Sequence, residues 1–211
     1  MNSNGKPLCG RKKSSPVGQH GKQDWGENME KSIQGVIDIG GKPIVHRRAS
    51  ATGLVHLSAQ SKQAITNGEV KKGDVLEAST IAAIQAVKET PRIIPHCHPI
   101  PLEGCKVDWS WEGNALRCTV EVSAHYRTGI EMEALTGVSA GLLCALDMVK
   151  SMEKDSNGQY PETRITDIIV LEKHKRIKRF IDGGVAYREE HGENCRLGAS
   201  LLRSSRPSGN C

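Results

Sequence analysis

Two consecutive runs between residues 107 and 123 alternate apolar and polar side chains. The apolar set of the first run is Val107, Trp109 and Trp111, and that of the second is Leu116, Cys118, Val120 and Val122. Because successive side chains of a strand point to opposite faces, a period of two indicates two strands that each bury one face. The sequence Glu112-Gly113-Asn114 between them is typical of a tight turn. The two runs therefore predict an antiparallel hairpin.

Helical patterns flank this hairpin on both sides. We predict a helix over residues 75–90, capped by Asp74 and stopped by Pro91. A longer helix is predicted over residues 130–154, and a shorter one over residues 58–68, between a serine cap and an Asn-Gly stop. Helices are thus available to cover the apolar face of the hairpin.

Segments rich in β-branched residues predict further strands over residues 33–39, 43–57 and 164–172. Around the hairpin the order is helix, strand, strand, helix, strand. This order fits a ferredoxin-like α+β sandwich, in which an antiparallel sheet has helices packed on one face. We expect a partner subunit to cover the other face of the sheet.

The basic residues are concentrated at the two ends of the chain. Residues 1–31 hold six Lys and Arg against three Asp and Glu, and residues 175–211 hold eight against four. The remaining residues, 32–174, carry 15 basic and 17 acidic side chains. Neither end shows an apolar period, so we predict disordered tails at 1–31 and 175–211 around one ordered domain at 32–174. A nucleic-acid-binding module would more often carry its basic residues on the folded face.

Seven cysteines are scattered through the 211 residues. An odd number in a chain of this size does not suggest a disulfide scaffold and favours a reducing compartment. We see no apolar run long enough to cross a bilayer, and no apolar stretch of the kind found in secretory signals near the N-terminus. These features predict a cytoplasmic protein.

The sequence Ile-Pro-His-Cys-His-Pro-Ile-Pro-Leu, residues 94–102, is the first candidate site, and we call it the His-Cys-His loop. Its prolines fix φ and lack an amide donor, which predicts a stiff, extended segment presenting His96, Cys97 and His98. Imidazole and thiol groups change protonation near neutral pH. The alternative is that these three are ordinary, partly buried loop residues.

Charged residues near helix ends supply further candidates. Lys72 precedes a predicted helix N-terminus, where free backbone amides favour anions. Glu131 and Glu133 lie in a first helical turn about 200° apart, so one can face solvent while the other faces a pocket. Asp147 and Lys150 share a helix face, where they form either a surface ion pair or, in a cleft, an acid/base couple.

A zinc site is an alternative use of the same loop. His96, Cys97, His98 and Cys105 are all soft ligands. However, no C-x-x-C or H-x-x-x-H spacing is present, and adjacent residues of an extended segment point in opposite directions. We therefore expect an organic acid/base site and no metal.

Three motifs stand together in one order along the chain. They are Lys-Lys-Gly-Asp-Val at 71–75, the His-Cys-His loop, and Thr-Gly-Ile-Glu-Met-Glu-Ala-Leu at 128–135 with Asp-Met-Val-Lys downstream at 147–150. In this order and spacing the chain resembles the cyclic pyranopterin monophosphate synthases of molybdenum cofactor biosynthesis. The resemblance spans about residues 33–173, and its form is nearer to archaeal members than to bacterial ones.

The resemblance implies a lyase of a particular kind. Its substrate would be 3',8-cyclo-7,8-dihydroguanosine 5'-triphosphate, and its products would be cyclic pyranopterin monophosphate and pyrophosphate. It also implies the ferredoxin-like fold in a homohexamer, a trimer of dimers with active sites between subunits. No cofactor is implied, and whether Mg²⁺ accompanies the triphosphate stays open.

The site residues follow from the same motifs, position by position. The resemblance implies catalytic roles for Lys72, Asp147 and Lys150. It implies substrate contacts for His96, Cys97, His98, Glu131, Met132, Glu133 and Lys173. We expect Lys72 and Lys150 to converge with His98 in one cleft built by two chains.

Three other hypotheses remain at this point. The basic tails are compatible with a nucleic-acid-binding protein, and the His-Cys-His loop with a zinc-dependent hydrolase. An inactive relative of the synthases is disfavoured, because every expected acid, base and cation is present in the sequence.

Overall fold

The computed structural model describes residues 35–181 and 184–191 of the chain. Along the chain the elements are β1 (Val45–His56), α1 (Ala59–Asn67), α2 (Val75–Ile93), β2 (Gly104–Glu112), β3 (Ala115–Tyr126), α3 (Glu131–Val149), β4 (Arg164–Ile181) and β5 (Gly184–His191). The predicted helix caps at Ser58 and Asp74 are confirmed, since each side chain accepts a hydrogen bond from a backbone amide of the first turn.

The strands form one antiparallel sheet in the order β2-β3-β1-β4-β5. The central pair, β1 and β3, is in register from Val45 opposite Tyr126 to His56 opposite Ala115. The predicted hairpin is confirmed as β2 and β3, which pair from Gly104 to Glu112 across the Gly113 turn. The first four positions of this order are those of a ferredoxin-like α+β sandwich, so the predicted fold class is confirmed.

The core lies between the helices and one face of the sheet. Side chains of alternate residues on β1 and β3 meet α3, and α3 in turn packs against α2. Small residues let these layers approach closely, as at Gly137, where an added Cβ would lie 2.6 Å from Val87 Cγ2. The other face of the sheet is not covered by any described part of the chain, and it is rich in charged and hydroxyl side chains.

The helix α3 is long and apolar enough to cross a membrane by length and composition alone, with a mean hydropathy of 1.4. The expectation that no apolar run is long enough to cross a bilayer was therefore wrong on length and composition. Here α3 serves as the core helix of the domain, and Val138, Leu142 and Ala145 are completely buried between the sheet and α2.

Gly53 of β1 lies close against α3. A Cβ at this position would lie 2.8 Å from Leu142 Cδ1 and 2.9 Å from Val138 Cγ1. We expect Gly53→Ala to lower the free energy of unfolding by about 1–3 kcal/mol, because the packed helix must shift. Urea denaturation measures this, with Gly41→Ala as the matched control, since nothing lies within 4 Å of its added Cβ. Equal stability of the two variants would contradict the close packing.

Two helix boundaries differ from the prediction. Pro91 does not stop α2, which continues to Ile93. The proline removes the amide that would bond to the carbonyl of Val87, and the hydroxyl of Thr90 donates to that carbonyl instead, at 3.1 Å. The helix α3 ends at Val149, five residues earlier than predicted, in a turn closed by the Met152 amide and the Val149 carbonyl at 2.8 Å.

The ends of the domain also differ from the prediction. Within the predicted first strand, the described residues 35–39 are not in a strand, and β1 is the first strand of the described sheet. At the other end, β4 runs on to Ile181 and pairs with β5. The predicted boundary at residue 174 therefore falls inside a strand, and disorder was the wrong prediction for 175–181 and 184–191. The predictions for residues 1–34 and 192–211 lie outside the described residues.

Candidate functional site

One cavity, of about 370 Å³, lies between the His-Cys-His loop and the N-terminus of α3. Six predicted substrate contacts line it: His96, Cys97, His98, Glu131, Met132 and Glu133. The structure therefore brings together residues from two motifs that are more than thirty positions apart in the sequence. We call this cavity the loop pocket.

The first half of the His-Cys-His loop forms a turn. The Cys97 amide donates to the Ile94 carbonyl at 3.0 Å, which closes a turn where the sequence predicted an extended segment. His98 Nε2 lies 2.7 Å from the Ile37 carbonyl, and because a carbonyl only accepts, this nitrogen carries the hydrogen. His96 Nδ1 bonds in the same way to the Gly35 carbonyl. Residues 35–42 thus form one wall of the loop pocket.

Glu133 is the most unusual group in the loop pocket. Its side chain is 2% exposed, and its Oε2 atom has no hydrogen-bond partner among the described residues. Burial, together with the nearby charge of Glu131, raises the pKa of Glu133 to about 6. Burial and the charge of Glu133 also raise the pKa of the Cys97 thiol. The pocket therefore offers a thiol and a carboxyl that is poised to titrate near neutral pH.

Glu131, two residues earlier, has the opposite electrostatic character. Its Oε1 atom lies 2.9 Å from Lys173 Nζ. Burial by itself raises the pKa of Glu131, but the hydrogen bond from Lys173 and the charges of Lys173 and Arg47 outweigh it and lower the pKa. The structure therefore places Lys173, a predicted substrate contact, at the edge of the loop pocket through this ion pair.

Two further cations, Lys42 and Arg47, lie at or near the loop pocket and belong to none of the three motifs. Lys42 lines it, and Arg47 lies close enough to interact with Glu131 while its Nε atom donates to the Tyr126 carbonyl at 3.0 Å. A signal for Arg47 was present, because it stands two positions before the buried Ala49 and so shares the helix-facing side of β1. Nothing in the sequence pointed to Lys42.

A second cluster joins the predicted catalytic residues. Lys72 Nζ lies 2.6 Å from Asp147 Oδ2 and 2.7 Å from the Asp147 carbonyl oxygen, and Lys150 Nζ lies 2.6 Å from Asp147 Oδ1. Each carboxylate oxygen thus has its own lysine. We call these three residues the lysine–aspartate cluster. All three side chains are about half exposed.

The charge state of this cluster follows from its geometry. Hydrogen bonds from Lys150 and Lys72 lower the pKa of Asp147 to about 2. The hydrogen bond to Asp147 raises the pKa of Lys150 in turn. Near neutral pH the cluster therefore holds two ammonium groups on one carboxylate, with a net charge of +1, and it suits an anion.

The two clusters lie at opposite ends of α3. Glu133 is in its first turn and Asp147 in its last, and 14 residues at a rise of 1.5 Å separate them by about 21 Å. Lys72, Asp147 and Lys150 do not line the loop pocket. Within one chain, therefore, His98 does not converge with the two lysines, and the expected single cleft needs a second chain.

A zinc site was the alternative use of the His-Cys-His loop. In the part of the chain that the structure describes, no three His, Cys, Asp or Glu side chains are grouped so that they could hold a metal ion. His96 and His98 instead use a ring nitrogen to bond to backbone carbonyls of residues 35–42. The zinc-hydrolase hypothesis gains no support from these residues.

The raised pKa of Glu133 predicts a pH dependence of stability. Below the ordinary pKa of 4.5 the carboxyl is neutral in both the folded and the unfolded chain, and Glu133 does not reduce the free energy of unfolding. As pH rises from 4.5 through about 6, the carboxyl of residue 133 ionises in the unfolded chain first. The free energy of unfolding therefore falls by about 2 kcal/mol. We expect Glu133→Gln to remove this loss and to raise stability above pH 6.

The measurement is urea denaturation between pH 4 and pH 8 at one protein concentration, and Glu131→Gln is the matched control. Because the pKa of Glu131 is lowered, its stabilising contribution is present at neutral pH and is lost as pH falls. Glu131→Gln should therefore destabilise the protein at neutral pH. The same response from both variants would contradict the assigned environments.

Comparison with known proteins places the chain in a family. The sequence profile of the MoaC family matches residues 36–176. A protein of Thermococcus kodakarensis named "Probable cyclic pyranopterin monophosphate synthase" is 50% identical over 146 residues, which are 69% of this chain and 93% of that protein. A protein of Sulfolobus acidocaldarius with the same name is 49% identical over 140 residues, 66% of this chain and 98% of its own length.

A third relative carries a slightly different name. The protein of Methanothermobacter thermautotrophicus is called "Probable cyclic pyranopterin monophosphate synthase accessory protein", and it is 47% identical over 69% of this chain and 91% of its own length. The matched part of the chain contains both the loop pocket and the lysine–aspartate cluster. The family resemblance inferred from three motifs is therefore confirmed.

Proposed function

The chain belongs to the MoaC family, and we propose that it is a lyase that makes cyclic pyranopterin monophosphate in molybdenum cofactor biosynthesis. Its substrate is 3',8-cyclo-7,8-dihydroguanosine 5'-triphosphate, and pyrophosphate leaves. The observation that carries the proposal is the lysine–aspartate cluster, in which two lysines share the carboxylate of Asp147 within the family's own motifs. This arrangement suits the negative charge that develops on departing pyrophosphate.

The roles of the cluster residues follow from their charge state. Asp147 is ionised near neutral pH and has a lysine on each oxygen, so its first task is to hold Lys72 and Lys150 close together. Both ammonium groups can donate hydrogen bonds to phosphate oxygens and can supply protons to the substrate. The ring rearrangement needs several proton transfers, and the two lysines share these with His98.

The loop pocket has the properties expected of the site for the guanine-derived ring. It is partly lined by apolar side chains, and it contains Glu133, whose Oε2 atom has no partner among the described residues and can bond to a ring N–H group. Lys42, Arg47 and Lys173 lie at or near its edge, where they favour a phosphate group. His96, Cys97 and Met132 form the rest of the contact surface.

Catalysis requires both clusters, and we propose that two chains supply them. The distance of about 21 Å along α3 between Glu133 and Asp147 is too far for one small substrate to bridge within a chain. A homohexamer, built as a trimer of dimers, places the loop pocket of one chain against the lysine–aspartate cluster of another. The sheet face that no described residue covers is a surface available for subunit contacts.

We propose a cytoplasmic enzyme that needs no redox cofactor, because the rearrangement moves protons and a leaving group but no net electrons. The free thiols of Cys97, Cys105, Cys118 and Cys144 fit a reducing compartment. Mg²⁺ would enter as a partner of the substrate's triphosphate, and its effect is measured by titrating the metal into the activity assay.

A direct assay tests the proposed function. The purified full-length protein is incubated with the cyclised triphosphate, and the pterin product and pyrophosphate are measured separately. We expect the two products in a 1:1 ratio and none from GTP itself, which serves as the control substrate. Substrate binding without release of pyrophosphate would contradict the synthase assignment.

A further inference from the structure

Glu153 is a buried carboxylate that the chemistry described above does not use. Its residue is 7% exposed, and it lies three positions after Lys150. Oε1 accepts from the Ser58 hydroxyl at 2.8 Å, Oε2 accepts from the Thr163 hydroxyl at 2.6 Å, and both oxygens lie 3.1 Å from the Ser58 amide. Burying a carboxylate is costly, and here hydrogen bonds to both oxygens offset that cost. These bonds also fix the positions of Ser58 and Thr163 relative to Glu153.

The donors to Glu153 come from separate parts of the chain. Ser58 is the N-cap of α1, and Thr163 immediately precedes β4. Glu153 itself follows the tight turn after α3, in which the Met152 amide bonds to the Val149 carbonyl. One carboxylate therefore ties together the start of α1, the turn after α3 and the entry to β4.

The electrostatics show that the carboxylate is ionised in this position. Burial by itself raises the pKa of Glu153, but hydrogen bonds from Ser61, Thr163 and Ser58 outweigh it and lower the pKa. The position at the N-terminus of α1 also favours a negative charge. An ionised, multiply bonded group resists displacement more strongly than a neutral one.

The segments that Glu153 joins by hydrogen bonds lie next to Lys72 and Lys150. Lys72 lies in the connection between α1 and α2, so its backbone position depends on where α1 is held. Lys150 directly follows α3 and precedes the turn that leads to Glu153. Both lysines must reach opposite oxygens of Asp147, at 2.6 Å each, and this requires the connection after α1 and the end of α3 to keep a fixed spacing.

We propose that Glu153 is a positioning residue that sets the spacing of Lys72 and Lys150. It touches neither substrate nor lysine, and it acts by fastening α1 to the turn after α3. The inference rests on the proposed function in one respect, since the spaced lysine pair is the part of the site that receives the leaving pyrophosphate. Displacement by a fraction of an ångström is enough to weaken such a transition-state contact.

The test compares Glu153→Gln with Glu162→Gln, an exposed glutamate of the same connection. The amide that replaces the carboxylate has only one acceptor oxygen. It therefore loses the hydrogen bond from either Ser58 or Thr163, while the side-chain volume is kept. We expect kcat to fall about tenfold or more well below the melting temperature, while KM changes little. Glu162→Gln should match the unchanged protein in both constants.

A second readout does not depend on the synthase assay. Acylation of individual lysines by an amine-reactive reagent, followed by mass spectrometry, measures how firmly Lys72 is held on Asp147. We expect Lys72 to react about threefold faster or more in Glu153→Gln, because an amine released from an ion pair is a better nucleophile. Lys71, its exposed neighbour, should react equally in both proteins.

The outcomes separate the two proposals. Unchanged kcat and unchanged Lys72 reactivity in Glu153→Gln, with only a lower melting temperature, would show that Glu153 is a structural cap and would overturn the inference. Failure of the unmodified protein to release pyrophosphate would overturn the proposed function, while the acylation readout would still decide the role of Glu153.

A milder variant covers the case in which Glu153→Gln does not fold. Thr163→Val removes one donor at the start of β4 and leaves α1 and its cap intact. It should shift kcat and Lys72 reactivity in the same direction by a smaller factor. Values equal to those of the unchanged protein in this variant would contradict the positioning role.

Discussion

Lys72→Met is expected to lower kcat for pyrophosphate release about a thousandfold and to leave the fold intact. Methionine keeps most of the apolar stem of lysine but removes the ammonium group that lies 2.6 Å from Asp147 Oδ2. Preorganised charges that face a developing anion contribute factors of about 10² to 10³ each, and here a proton donor is lost as well. Because Lys72 is about half exposed, the loss of its ion pair costs little stability.

The matched control is Lys71→Met at the neighbouring exposed position. It removes the same charge from the same connection, so a general electrostatic effect on substrate attraction would appear in both variants. The measurement is steady-state kinetics together with a thermal melt. Similar small losses in kcat/KM for both variants would mean that Lys72 contributes only net charge. That result would contradict its proposed catalytic role in the lysine–aspartate cluster.

Two inactive variants are expected to restore each other's activity when they are assembled together. One carries Lys72→Met, in the lysine–aspartate cluster, and the other carries His98→Ala, in the loop pocket. If each active site takes one cluster from each of two chains, random mixing leaves about a quarter of the sites with both clusters intact. Co-expression should therefore raise activity from near zero to about a quarter of that of the unchanged protein.

The control for this experiment is a chain that carries both changes, co-expressed with the Lys72→Met variant. Its loop pocket and its lysine–aspartate cluster are both damaged, and no chain in the mixture retains Lys72. No recovery is therefore expected. Absence of recovery in the first mixture, with the oligomer intact by light scattering, would show that both clusters serve the same substrate within one chain.

Local patterns in the sequence predicted most of the fold. The alternation on both sides of Gly113 identified the hairpin, and Ser58 and Asp74 marked helix starts that the structure confirms. These features succeed because caps and strand periods depend on neighbouring residues only. The boundary at Pro91 failed for a related reason, since the hydroxyl of Thr90 compensates for the missing amide and the pattern does not show this.

The features that the sequence did not reveal depend on distant residues. Residues 35–39 look like a strand by composition, yet their carbonyls bond to His96 and His98 and they form a wall of the loop pocket. The continuation of β4 past residue 174 depends on pairing with β1 and β5. The many charged residues of this segment do not form the apolar alternation that would predict a strand. Pairing partners far along the chain are not encoded in a local period.

In the candidate site, too, local motifs identified the residues, whereas their spatial arrangement depends on distant parts of the chain. The motifs identified the residues of both clusters, but the distance between the clusters required the structure. Glu133 and Asp147 lie about four turns apart on α3, so they share a helix face, and only the length of the helix shows that they cannot meet within one chain. Glu153 carried no motif, because its role depends on donors that are 95 and 10 positions away.

The most direct measurement is a crystal structure of the Lys72→Met variant with the cyclised triphosphate bound. We expect the guanine-derived ring to contact His98 and Glu133 of one chain. We expect the phosphates to lie beside Lys150 of another chain. A substrate held entirely by residues of a single chain would contradict an active site built by two chains.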